Sequence, residues 1–249
     1  MRYFLEVSYK GTNYSGFQSQ KNANTIQAEI QKAFKIILKK ELELTGSSRT
    51  DAGVHAYQNY FHFDLESELS PRLLYNLNAI LPNDISVKNL LKVKGDAHCR
   101  FDAISREYKY HIYQKKNPFL TDEAFYFPYT LDIEAMQKAA AAIKDYSDFT
   151  SFSKRNTQVK SFVCEIWESK WVVQEECLIY NVKANRFLRG MVRALTATML
   201  NLGRGKIDLT TFKRIIEIKN VIVLGFNRSV LCEPFIFIQT GADYRTNLP

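Results

Sequence analysis

No stretch of the chain approaches the roughly 18 consecutive apolar residues that a membrane span requires, and the opening Met-Arg-Tyr-Phe-Leu-Glu-Val-Ser lacks the apolar core of a secretion signal. These two absences make a cytoplasmic protein without membrane contact the expectation. Cysteine is scarce. Cys99, Cys164, Cys177 and Cys232 form no C-x-x-C pair and no ligand-like spacing with the four histidines, which argues against a metal site and for reduced packing residues. Nor is there a block of like charge. The 34 Lys and Arg against 26 Asp and Glu leave a net +8 that must be spread over folded surface, and that balance favours a polyanionic partner. At 249 residues, 46% of them hydrophobic, the chain can bury one large core or two smaller ones.

What the sequence does contain is concentrated in Gly46-Ser47-Ser48-Arg49-Thr50-Asp51-Ala52-Gly53-Val54-His55-Ala56. Two opposite charges, two glycines and several small residues read as a loop presenting one carboxylate. If the backbone is locally extended, Arg49 and Asp51 project to the same side, and a cation held close keeps the acid ionised, which suits a nucleophile and not a general acid. Gly53 fits a bend with positive φ. The plain alternative is a surface turn with a weak ion pair.

Around this loop the periodicity predicts an α+β protein. Arg2 to Tyr9 alternates as a half-buried strand with Tyr3, Leu5, Val7 and Tyr9 on one face. Asn24, with Gln27 three residues on, reads as the cap of a helix running to about Lys40. Glu41 to Thr45 and Tyr57 to Phe63 predict strands that would hold the Asp51 loop between them. Ser70-Pro71 opens a second helix that stops before Pro82. Strands follow at 85–93 and 107–113; in the latter Arg106, Tyr108 and Tyr110 share a face, either as cross-strand core packing or as an aromatic and cation on which an extruded base could stack. An aromatic, proline-bearing connector spans 115–131, dividing an N-terminal subdomain, 1–114, from a C-terminal one, 132–249. The second subdomain is expected to hold a helix from Asp132, a loop pinned by Phe149 and Phe152, strands near 162–173 and 177–184, and a helix ending at Gly203. On that last helix Arg186, Arg189 and Arg193 recur on one face, as a solvated basic face or as the wall of an anion site.

Several of these strings resemble one family. Ser48-Arg49-Thr50-Asp51-Ala52-Gly53-Val54-His55-Ala56 resembles the catalytic signature of the TruA family of tRNA pseudouridine synthases, bacterial type. Tyr9-Lys10-Gly11-Thr12-Asn13-Tyr14-Ser15-Gly16-Phe17-Gln18, Arg100-Phe101-Asp102-Ala103 with Arg106-Glu107-Tyr108-Lys109-Tyr110, Asp148-Phe149-Thr150-Ser151-Phe152, Phe187-Leu188 with Met191-Val192-Arg193, and Gly203-Arg204-Gly205-Lys206 resemble its further motifs. The resemblance implies a pseudouridine synthase fold of two subdomains, each an antiparallel sheet backed by helices, with the active cleft between them. It implies isomerisation of uridine to pseudouridine in the anticodon stem-loop of tRNA, conventionally at positions 38, 39 and 40, with Asp51 as nucleophile, Tyr108 touching the target uridine, and Arg49 and Arg193 holding the Asp51 carboxylate charged. It also implies a homodimer. The resemblance thins after Lys206: the family's Ala-Pro-x-x-Gly-Leu-x-Leu strand is absent, and Leu224 to Ile238, ending Phe-Ile-Phe-Ile, stands in its place.

The reaction breaks the N1–C1′ bond and makes a C5–C1′ bond without net redox change, so no cofactor is expected. Two other classes compete with this reading. A non-catalytic RNA-binding module explains charge and aromatics but lacks the RNP1 pattern and leaves Asp51 without purpose. A glycoside hydrolase requires a second carboxylate partnering Asp51, and none is evident. Within the family, the altered C-terminal segment admits a catalytically weak tRNA binder.

Overall fold

The computed structural model describes residues 1–154 and 159–220, and the backbone of 236–239. These fall into two compact units. The first comprises Met1–Ile104 and the returning segment from Ile236; the second begins at Ser105.

The first unit is built on three antiparallel strands, β1 (Arg2–Tyr9), β3 (Ala56–Asp64) and β4 (Ile85–Val93), in the order β4-β1-β3. Two short strands share the outer edge of β3. β2 (Thr45–Gly46) runs antiparallel beside Phe61 and His62, and β9 (Ile236–Gln239) runs parallel beside Ala56 and Gln58. The central position of β1 corrects the half-buried expectation: Phe4 on its second face is fully buried with Tyr60, Val93, Ala97 and Cys99, while Leu5 and Val7 pack on the first.

Helix α1 (Ile26–Leu38) buries Ile26, Ile30, Ala33 and Phe34, and the Phe34 ring meets Phe63 edge-on at 5.2 Å. Its cap is Thr25, not Asn24, because the Thr25 hydroxyl receives the Ala28 N–H. Gln27 turns elsewhere. Its amide and that of Gln31 donate to the carbonyls of Leu44 and Leu42 at 2.9 Å, so the 41–44 stretch is satisfied by helix side chains and only Thr45 and Gly46 join the sheet. Helix α2 (Leu73–Ile80) starts later than Ser70-Pro71 indicates, since the Ser70 hydroxyl accepts the Arg72 N–H in a turn ahead of it.

In the second unit β5 (Arg106–Tyr113) pairs with β8 (Cys177–Ala184), β8 with β7 (Ile166–Gln174), and β6 (Phe125–Tyr126) lies parallel to β5. Helices α3 (Ile133–Ala142), α4 (Met191–Gly203) and α5 (Leu209–Glu217) back this sheet. Because β5 belongs to this ladder and the 115–131 stretch contributes β6 to it, the division falls at Ile104/Ser105, ahead of the expected connector, and the segment from Ile236 returns to the first unit.

The helix expected from about Arg186 begins at Met191. Gly190, at φ 78°, forms its cap, so Arg186 and Arg189 lie in the preceding loop and no three-arginine helix face exists. Its end is set by packing: a Cβ on Gly203 would sit within 3 Å of Met136, and the Gly203 carbonyl receives the Asp132 N–H that opens α3. The α+β class and the two helix-backed sheets are as the sequence indicates. Among the described residues no helix is long and apolar enough to cross a membrane.

Candidate active site

Asp51 stands half-buried on the loop between β2 and β3. The loop is anchored at four points. At its root, the Arg100 guanidinium places Nε and Nη2 on the Gly46 carbonyl at 3.1 and 2.8 Å. Next, Ser47 and Ser48 both turn inward, and their hydroxyls meet Oδ1 of Asn59 at 2.7 and 3.1 Å. Beyond Asp51, Gly53 takes φ 75° and the Val54 N–H closes a turn onto the Asp51 carbonyl. His55, 1% exposed, then accepts the Gly11 N–H on Nδ1 at 3.0 Å, which puts its ring proton on Nε2.

The Tyr9–Gln18 loop packs against this one. A Cβ on Gly11 would lie 2.0 Å from the Val54 carbonyl oxygen, and one on Gly16 2.9 Å from that of Thr50, so glycine at both places is a condition of the close approach. The Phe17 N–H bonds the Thr50 carbonyl, and the Phe17 ring stacks on Phe61 at 4.3 Å.

Ser47 and Ser48, consecutive residues, both turn inward, so the loop does not alternate there as a strand would. Arg49 is exposed, and among the described residues it makes no ion pair or hydrogen bond.

In the second unit the loop 185–190 braces the other candidate residues. The Asn185 carbonyl accepts Nη1 of Arg106 at 3.4 Å, and the Phe187 ring meets Tyr108 edge-on, 5.0 Å between centroids and 89° between planes. Tyr108 is half-buried, and Tyr110, two residues on, is core at 2% exposure. Of the two readings of the pair, stacking remains open for Tyr108, and Tyr110 is packing. Arg193 is the third residue of α4 and half-buried. A cation in the first turn opposes the helix dipole unless an anion is near, and Gly190 gives the helix no side-chain cap.

Sequence reading missed Asn59, His55 and Arg100 as supports of the loop. The signal for Asn59 was present: an amide among Phe61 and Phe63 on one face of an apolar strand must find partners.

Comparison with known proteins identifies the family. The family model described as tRNA pseudouridine synthase matches residues 6–102 and 142–223. The chain is 44% identical over 224 residues to tRNA pseudouridine synthase A of Azobacteroides pseudotrichonymphae, covering 90% of both chains. This chain belongs to the tRNA pseudouridine synthase family. Two further members are tRNA pseudouridine synthase A of Bacteroides fragilis, 44% identical with 88% of each chain covered, and that of Staphylococcus aureus N315, 37% identical with 88% of this chain and 84% of the other covered. A solved archaeal box H/ACA sRNP Nop10-Cbf5 complex aligns with 94% of this chain and 68% of its own at 10% identity and a TM-score of 0.28, too low to bear on the fold. The family match ends at residue 223; of the stretch Leu224 to Ile238, which lacks the family's Ala-Pro-x-x-Gly-Leu-x-Leu motif, Leu224 to Phe235 lies outside the described residues and Ile236 onward forms β9.

Proposed function

We propose that this protein isomerises uridine to pseudouridine in the anticodon stem-loop of tRNA, at the positions numbered 38, 39 and 40. The observation that carries the reading is a half-buried Asp51 on a loop braced from every side, inside a chain 37 to 44% identical to enzymes named tRNA pseudouridine synthase A. A reactive acid gains from such bracing, because a positioned nucleophile avoids the entropy of finding its target.

In this mechanism Asp51 is the nucleophile or base toward the extruded uridine. Tyr108, its ring fixed edge-on by Phe187, offers its other face to the flipped uracil. Arg193 meets negative charge at the N-terminus of α4. Arg49, exposed two residues before Asp51, is free to meet an RNA phosphate and supports the carboxylate when substrate is bound. All chemistry is intramolecular, so the side chains and the substrate suffice without a cofactor. The enzyme works in the cytoplasm, where its tRNA is, and acts as a homodimer; sedimentation at micromolar concentration should give twice the mass of the chain, and a monomer alone would remove that part of the proposal.

The deciding experiment is base-resolved mapping of pseudouridine on an unmodified tRNA with uridines at 38 to 40. Wild type should form product there. Asp51→Asn should bind the tRNA with an unchanged Kd and form none; near-normal turnover by the variant would end the assignment of Asp51.

A further inference from the structure

The residue that shapes the Asp51 loop from within is Asn59, on β3 and wholly buried. Both halves of its amide are used. Oδ1 receives the hydroxyls of Ser47 and Ser48; Nδ2 donates to Ser48 Oγ at 2.8 Å and to the Tyr9 hydroxyl at 3.1 Å. A tyrosine oxygen that accepts from an amide keeps its own proton to give away. Tyr9 Oη is also hydrogen-bonded to Thr50 Oγ1 at 3.1 Å, a bond in which either hydroxyl can donate. Thr50 is the residue before Asp51. Its carbonyl is meanwhile held by the Phe17 N–H, so both the side chain and the main chain of Thr50 are fixed.

From this we infer that Asn59 and Tyr9 are a positioning pair that sets the direction of Asp51 through Thr50. The inference rests on the proposed role of Asp51. Through Thr50 their effect is on where the carboxylate points. A buried asparagine could serve stability alone, and the two roles separate in experiment. Tyr9→Phe removes one hydroxyl oxygen and keeps the ring, which lies 5.6 Å from that of Phe17, so the fold should survive it. Asn59→Asp keeps shape and the acceptor for both serines but cannot donate to Tyr9.

The test is single-turnover pseudouridine formation at saturating enzyme, beside tRNA affinity and melting temperature. Tyr9→Phe and Asn59→Asp should each slow the chemical step about ten- to a hundredfold, the scale on which a small misplacement acts, with tRNA Kd within about twofold of wild type. The double variant should be no slower than the slower single, because both cut one relay. Thr50→Ser, which keeps the hydroxyl, should retain the rate that Thr50→Val loses. Tyr9→Phe at wild-type rate, or losses that multiply in the double variant, would overturn the pair. A different failure points elsewhere: wild type without product, or an active Asp51→Asn, would take down the reading of Asp51 and this inference with it.

Discussion

His62 shows how much a single position can cost in acid. It lies in the core of the first unit, its Nδ1 3.2 Å from Cys99 Sγ and its ring 4.6 Å from that of His98. Burial, with lesser contributions from His98 and Arg2, lowers its pKa from 6.5 to about 4. Between those values the unfolded chain binds a proton there and the native protein does not. The stability that a neutral His62 contributes is therefore complete above pH 6.5 and drains away as the pH falls toward 4. Urea midpoints should fall between pH 7 and 4.5 more steeply in wild type than in His62→Gln; parallel slopes would show that His62 is not the cause.

Among the elements, α5 is the one whose stability can be tested most cleanly. Asp208 caps it, with Oδ1 receiving the Thr211 N–H at 2.7 Å, and it buries Phe212, Ile215 and Ile216. Asp208→Ala should cost about 1 kcal/mol in chemical denaturation, and Asp208→Ser much less. The bounds of β1, β4 and β8 were legible in the sequence. What it concealed were contacts made across the fold. Gln27 and Gln31 take the backbone of 41–44 out of the sheet, and the Phe162 and Ser147 carbonyls pair with Phe149 and Cys164 so that β7 starts only at Ile166. At the site, the family strings located Asp51, yet its supports Asn59 and Arg100 come from other elements, outside that loop. Arg186 and Arg189 left their expected helix because Gly190 caps it in the left-handed region, a φ that periodicity does not register.

For the molecule as a whole the net +8 governs the encounter with tRNA. Each phosphate neutralised by Lys or Arg releases condensed counterions, so affinity depends on salt. tRNA Kd should weaken at least about tenfold between roughly 50 and 200 mM monovalent salt, while the single-turnover rate at saturating enzyme stays constant. A salt-independent Kd would mean that the basic excess does not face the RNA. The order of assembly is equally a property of the whole. β9 lies beside Ala56, the residue at which the Asp51 loop rejoins β3, but the chain reaches it only after the entire second unit. On the ribosome the Asp51 loop therefore emerges long before the strand that flanks its exit, and part of the β3 edge waits unpaired throughout. Translation halted just before Ile236 would release a protein with every candidate residue and an open, sticky seam, so a late stop codon should be read out as aggregation before it is read out as lost chemistry.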